Sequence, residues 1–203
     1  MRKLNTSQPK PARTTGQVRI IGGHWRRQKI DVPAHDGLRP SSDRVRETVF
    51  NWMMHQWGGV FEGKAVLDAF AGSGAFGLEC ISRGARDVVM IDNHRPAVTA
   101  IQSTLTRWQV AADVRHADIV STCHDLSAAG RVFDWIVLDP PFEQGWLTQM
   151  MPVINPLCHK GTWLYVEVEA GLDTELLSTY GWEKVREGKT QQVKFGLYRR
   201  REV

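Results

Sequence analysis

Leu67-Asp68-Ala69-Phe70-Ala71-Gly72-Ser73-Gly74-Ala75-Phe76-Gly77 decides the fold. The stretch completes a short apolar run, Ala65-Val66-Leu67, and opens a segment of helical composition, so it reads as the turn from a strand into a helix. Gly72, Gly74 and Gly77 spell G-x-G-x-x-G, a spacing that lets the backbone bend sharply and lets a ligand approach closely. By itself the motif suggests a dinucleotide, and an ordinary tight turn would also tolerate it. Asp68 argues against the dinucleotide. It ends the strand four residues before Gly72. A carboxylate there would repel a pyrophosphate but suits a ligand that carries an ammonium and a sulfonium.

Further apolar runs lie downstream: Val88-Val89-Met90-Ile91, Val114 with its neighbours, Trp135-Ile136-Val137-Leu138 and Thr162-Trp163-Leu164-Tyr165-Val166. The gaps between them hold one helix each. This alternation predicts βαβ units and an α/β fold, a doubly wound, mostly parallel sheet covered on both faces. Asp68, Asp92, Asp118 and Asp139 follow the first four runs. Open sheets of this kind bind ligands beyond the carboxyl ends of their strands, where these acids fall. Asp92, with Asn93 beside it, is placed to accept from ribose hydroxyls. Asp118 suits an adenine amino group or, equally, a helix N-cap. Phe70, Ala71 and Ser73 complete the expected cofactor lining. Residues 182–186 and 193–198 are two strand-like runs with no room for a helix between, which predicts an antiparallel hairpin on the sheet edge.

Asp139-Pro140-Pro141-Phe142 follows the fourth run directly. Two prolines fix the backbone and remove its donors. An exocyclic base amine is a poor nucleophile, because its lone pair is delocalised into the ring. Two acceptors, the Asp139 carboxylate and the Pro140 carbonyl, can hold such a nitrogen by its N–H groups and favour the charge that develops on it. Phe142 is placed to stack on a base swung out of its helix or loop. Trp146, four residues on, is expected to pack.

Residues 1–46 carry 11 Lys/Arg against 3 Asp/Glu, a net +8, whereas residues 47–203 carry 15 against 19, a net −4. A basic arm on a mildly acidic body is the pattern of a polyanion binder. Residues 1–17 read as a disordered basic tail. Residues 18–32 read as a small basic hairpin turning at Gly22-Gly23. Ser42 or Asp43 caps a helix to about Met54, with Val45, Val49, Trp52 and Met53 on its apolar face and Arg44 and Arg46 off it. A division follows: tail 1–17, basic hairpin and helix 18–57, catalytic domain 58–203. Cys80, Cys123 and Cys158 show no paired spacing and the histidines no metal spacing, so reduced thiols, no metal and a cytoplasmic setting are expected. No run is long and apolar enough for a membrane span or a signal peptide.

Together these motifs resemble a class I S-adenosylmethionine-dependent methyltransferase. Asp68 and the glycine loop are similar to that class's first motif, Asp92 to its second, and Asp139-Pro140-Pro141-Phe142 to its amino-methylating motif. More narrowly, residues 17–200 resemble the bacterial RsmD family of 16S ribosomal RNA guanine-N2 methyltransferases. Arg19-Ile20-Ile21-Gly22-Gly23, Gly37-Leu38-Arg39-Pro40, Asp43-Arg44-Val45-Arg46-Glu47-Thr48 and Phe50-Asn51 carry that likeness. The resemblance implies S-adenosylmethionine as cofactor and S-adenosylhomocysteine as product. The implied partner is 16S ribosomal RNA or an assembling small subunit, and a monomer is expected. Arg19, Arg26, Arg27, Arg39, Arg44 and Arg46 are the implied RNA contacts. Three rival readings stay open. A DNA adenine-N6 methyltransferase uses a similar tetrapeptide but would need a target-reading domain that is not evident. An NAD-binding oxidoreductase explains the glycines only. A non-catalytic RNA-binding module leaves the tetrapeptide without a purpose.

Overall fold

The structure is a computed structural model that describes residues 14–33, 42–141, 145–169 and 175–201. An antiparallel pair, β1 (Thr14–Arg19) and β2 (Lys29–Pro33), is followed by α1 (Asp43–Gln56). Then come β3 (Ala65–Asp68), α2 (Ala75–Ser82), β4 (Asp87–Asp92), α3 (Arg95–Trp108), β5 (Asp113–His116), α4 (Ile119–Ala128), β6 (Phe133–Leu138) and α5 (Trp146–Ile154). A short 3-10 turn leads into β7 (Cys158–Glu169), α6 (Leu176–Thr179), β8 (Trp182–Lys189) and β9 (Val193–Arg200).

The main sheet has seven strands in the order β5-β4-β3-β6-β7-β9-β8. The first five are parallel, and β9 runs antiparallel to both β7 and β8. The chain winds outward from β3 to β5 in one direction, then restarts at β6 and winds the other way. The point of reversal lies between β3 and β6, the place where open sheets of this kind bind ligands, beyond the strands' carboxyl ends. The alternating doubly wound α/β sheet and the closing hairpin expected from the sequence are both present.

Two apolar layers sandwich the sheet. On one face Val66, Met90, Trp135, Val137 and Tyr165 pack against α1, α2, α3 and the β1–β2 pair. On the other, Leu67, Ile91, Ile136, Leu138 and Leu164 pack against α4, α5 and α6. Adjacent residues of one strand divide between the two layers, as the twofold period of a strand requires. Phe50 of α1 packs on Phe76 and Trp135, with ring centroids 5.8 and 5.3 Å apart. α1 thus shares a core with the sheet.

Three local readings shift. β1 begins at Thr14, inside the segment read as tail, because its pairing with β2 rests on backbone bonds rather than on apolar side chains. The strands β1 and β2 do not meet at Gly22-Gly23, since residues 20–28 form a compact turn closed by Ile20 N–H to the Gln28 carbonyl at 2.9 Å and Arg27 N–H to the Ile20 carbonyl at 2.8 Å. Arg46, placed off the apolar stripe of α1 by its spacing, is 0% exposed. The three cysteines are free, and burial pushes the thiols of Cys123 and Cys158 up to about 12.

Candidate functional site

The glycine loop occupies the turn from β3 into α2, as read from the sequence. Gly74 is the N-cap of α2 with φ +76°, and a Cβ there would lie 2.7 Å from Ile101 Cγ1, so this position needs glycine twice over. Two carboxylates hold the loop from within. Asp68 Oδ2 accepts from Gly77 N–H at 3.0 Å, and Asp92 Oδ2 accepts from Gly72 N–H at 2.7 Å. The other Asp92 oxygen, Oδ1, accepts from His94 N–H at 2.7 Å. The loop is thus shaped by the same acids that the sequence assigns to the cofactor.

Asp68 is 2% exposed. Burial pushes its carboxyl up from 3.8, ordinary for aspartate, to about 7, with the Gly77 N–H pulling back and the Asp92 charge adding to the rise. The folded chain keeps a proton on Asp68 that the unfolded chain releases from about pH 4 upward. Stability therefore falls as pH rises through that window and levels off above about 7. Asp68→Asn keeps an acceptor for Gly77 and removes the buried charge. It is expected to raise the melting temperature at pH 8 by roughly 5 °C, a gain that shrinks as pH falls toward about 4. Thermal unfolding at pH 5, 6.5 and 8 checks this, and a shift equal at every pH would contradict the buried charge.

A raised, buried carboxyl beside a second carboxylate fits a cationic ligand far better than a pyrophosphate. An ammonium or sulfonium near Asp68 would draw its carboxyl back to the charged form. Asp92, at the end of β4 and half-buried, has the acceptor chemistry for ribose hydroxyls. These residues fit S-adenosylmethionine. Asn93 is exposed next to Asp92, while Ala71 and Ser73 are buried in the loop. Asp118 is exposed and caps α4, accepting from Ser121 N–H at 2.9 Å, which is the structural one of its two readings.

The tetrapeptide lies at the next strand end. β3 and β6 are parallel neighbours with Asp68 opposite Val137, and Ala69 N–H donates to the Val137 carbonyl at 3.1 Å. Asp139 begins beyond Leu138, half-buried, followed by buried Pro140 and exposed Pro141. Phe142 lies outside the described residues. The half-buried ring of Phe70, in the glycine loop, meets Trp146 at the start of α5 edge-on at 5.1 Å. The glycine loop and the segment after the tetrapeptide are thereby in contact across the switch point.

Nothing in the reading of the residues singles out Tyr165 and Glu167. Both lie on β7, beside β6, and both are buried, Glu167 to 5% exposure. Tyr165 O–H donates to Glu167 Oε2 at 2.6 Å. Its hydroxyl is held well above the ordinary phenol range by burial first, then by the charges of Glu167 and Asp139. Its ring sits 4.9 Å from Phe76, in the first turn of α2. The signal was present as a Tyr-x-Glu alternation in a strand, but nothing in strand composition separates a functional carboxylate from an edge one.

The N-terminal turn is fastened to the far end of α2. Glu79, 0% exposed, accepts from Ile21 N–H at 2.7 Å, Gly22 N–H at 2.8 Å and Arg83 Nε at 2.8 Å. The Ser82 carbonyl accepts from His24 N–H at 2.7 Å, and Ser82 Oγ accepts from Trp25 N–H at 3.0 Å while donating to the Gly22 carbonyl at 2.6 Å. Trp25 stacks on Trp108 of α3 at 4.6 Å. Of the arginines expected to meet a polyanion, Arg26 and Arg27 are exposed in this turn, with Arg27 at φ +71°. Arg19 is exposed and 3.7 Å from Asp43, and Arg44 is exposed on α1. Arg46 does not belong with them. Its Nη2 donates to the Arg19 carbonyl at 2.8 Å and to Asp43 at 2.7 Å, so it ties α1 to β1 from inside. Arg39 lies outside the described residues. Among the described residues no group of three or more His, Cys, Asp or Glu is placed to hold a metal, and no helix is long and apolar enough to cross a membrane.

Comparison with known proteins places these features in context. The family model described as conserved hypothetical protein 95 matches residues 18–199. Ribosomal RNA small subunit methyltransferase D of Escherichia coli K12 is 39% identical over 196 residues, covering 92% of this chain and 91% of that protein. The Haemophilus influenzae protein of the same name is 34% identical over 98% of this chain and 99% of its own. A solved structure of an Escherichia coli candidate methyltransferase superposes with a TM-score of 0.76 at 33% identity, covering 92% of this chain and 99% of the other.

Proposed function

Because the chain belongs to the family of conserved hypothetical protein 95, that of ribosomal RNA small subunit methyltransferase D, we propose that it transfers a methyl group from S-adenosylmethionine to the exocyclic N2 of a guanine in 16S ribosomal RNA. The observation that supports this reading is that β3 and β6 are parallel neighbours, so the strand ends leading into the glycine loop and into Asp139 lie side by side at the switch point.

In this reading Asp68, Phe70, Ala71, Gly72, Ser73, Gly74, Gly77, Asp92 and Asn93 line the cofactor seat, Asp68 facing cationic charge and Asp92 the ribose. Asp118 serves the fold as a cap and borders that seat at most through the backbone it orients. S-adenosylmethionine supplies, when bound, an electrophilic methyl carbon on a sulfonium. The chain's own residues do the rest. The Asp139 carboxylate and the Pro140 carbonyl accept the two N–H bonds of the base amine, which fixes the nitrogen and directs its lone pair. The Asp139 charge stabilises the positive charge that grows on nitrogen as the new N–C bond forms. Methylation makes the N–H strongly acidic, so Asp139 or water takes the proton without a dedicated base. Pro141 stiffens the segment after Pro140, and Phe142 is the residue assigned to stack on the flipped base. Arg19, Arg26, Arg27, Arg39 and Arg44 hold RNA phosphates outside it.

The test is transfer of labelled methyl groups to ribosomal RNA isolated from cells that lack this protein, followed by nucleoside analysis. N2-methylguanosine in small-subunit RNA is the expected product. Label on adenine, or on DNA in preference to RNA, would replace this reading with the adenine-N6 one.

A further inference from the structure

We propose that Glu167, oriented by Tyr165, is the residue that selects guanine, by accepting the N1–H of the base whose N2 is held by Asp139. This inference rests on the guanine-N2 reading and extends it to a residue on the next strand.

The sheet register supplies the placement. β6 and β7 are parallel, with Val137 opposite Tyr165 and Leu138 opposite Val166. The chain leaves β6 at Asp139, one residue past the Leu138–Val166 pair and hence level by register with Glu167, and its charge acts on the Tyr165 hydroxyl. Tyr165 and Glu167, two residues apart on β7, point to the same face of the sheet, and the 2.6 Å bond between them fixes the carboxylate in one direction. Tyr165 in turn leans on Phe76, two residues past Gly74. The pair therefore flanks the end of β6 on the side away from β3, with the Tyr165 ring reaching back to the first turn of α2.

The chemistry of the base edge supplies the assignment. Guanine presents two adjacent donors, N2–H and N1–H, to a pocket wall. Adenine presents N6–H beside an acceptor nitrogen at N1. A wall made of Asp139, the Pro140 carbonyl and Glu167 offers acceptors only, which matches the first edge and repels the second. Glu167 is 5% exposed, and that shielding is what gives it discriminating power. A carboxylate screened from water gains much from the right donor and loses as much against a lone pair. Tyr165, which keeps its proton far above neutral pH, stays a donor to Glu167 throughout.

The experiment replaces the guanine that the wild-type protein methylates with 2-aminopurine, by splint ligation into small-subunit RNA. This base keeps the N2 amine but carries an acceptor at N1. Wild-type protein is expected to prefer guanine by at least ~10²-fold in kcat/KM. Glu167→Gln, whose amide can donate to an N1 acceptor, is expected to lower kcat/KM on guanine by about 10²-fold and to bring the two bases within about tenfold of each other. Its KM for S-adenosylmethionine should stay within about twofold, because binding energy lost at the base does not belong to the cofactor. Tyr165→Phe removes one hydroxyl from a buried ring and is expected to narrow the preference by roughly tenfold. It carries the test alone if the Gln variant does not fold. A preference ratio unchanged in both variants overturns the proposal even if total activity falls, because that pattern marks a purely structural pair. A wild-type protein that makes no N2-methylguanosine overturns the underlying reading instead, and the inference with it.

Discussion

Asp139→Ala is expected to lower kcat for methyl transfer by about 10³-fold or more while leaving the affinity for S-adenosylhomocysteine within about threefold. The asymmetry follows from position. Asp139 follows the last residue of β6, across the switch point from the glycine loop, and the loop is held by Asp68 and Asp92 without its help. On the proposed reading, removing it deletes an acceptor that matters only when an amine nitrogen acquires charge. The half-buried side chain leaves no large cavity, so the fold should survive with its melting temperature within a few degrees. Asp139→Asn is the sharper companion. It keeps one acceptor but removes the charge and brings in an NH₂ donor, and a loss of about 10²-fold is expected. Single-turnover kinetics and calorimetric titration of the product cofactor measure both. Turnover above a tenth of wild type in the Ala variant would show that the carboxylate does not hold the reacting nitrogen.

The second large effect is on stability. Gly23→Ala would put a methyl group 1.8 Å from the Ser82 carbonyl oxygen and 2.2 Å from its carbon, in a backbone conformation of φ +76° that alanine disfavours. The obstacle is main chain, so no rotamer change relieves it. The turn must lift from α2. That motion breaks the bonds from Ile21 and Gly22 to Glu79 and from His24 and Trp25 to Ser82. Glu79 is left as a buried carboxylate with Arg83 as its remaining partner among these bonds. Losses of this type cost about 3–5 kcal/mol. In a chain of this length that is a fall of roughly 6–20 °C in melting temperature. Calorimetry checks it, and tryptic cleavage after Arg26 or Arg27 should accelerate in parallel. A melting temperature within about 2 °C of wild type would mean that the turn is not clamped as described.

The parts of this molecule that were legible in sequence are those whose signal is local. A glycine triplet, an acid at each strand end and a double proline each announce themselves within a few residues. Their convergence follows from the winding rule for parallel sheets rather than from any pairwise guess. The parts that escaped depend on partners far along the chain. Arg46 sits off the apolar stripe of α1, yet its partner is a carbonyl 27 residues earlier, and that contact draws it inside. Gly22-Gly23 looked like the corner of a hairpin, because only the approach of Ser82, some 60 residues on, shows what the missing side chains make room for. Asp118 offered two readings, and the cap prevails because Ser121 N–H, an orphan donor of α4, lies within reach. β5 was marked by Val114 alone, since it is an edge strand whose residues are half in water. Tyr165 and Glu167 were hidden in plain sight within an apolar run, where a carboxylate's worth is set by what its neighbouring strand carries.

α2 is eight residues long, about 12 Å from end to end at the rise of an α-helix. One tip begins in the glycine loop; the other is bolted to the basic turn. No hinge interrupts it, so it behaves as a caliper jaw of set opening. On the reading proposed above, a polymer held at that turn would therefore stand at one fixed distance from the glycine loop, set by the length of this helix.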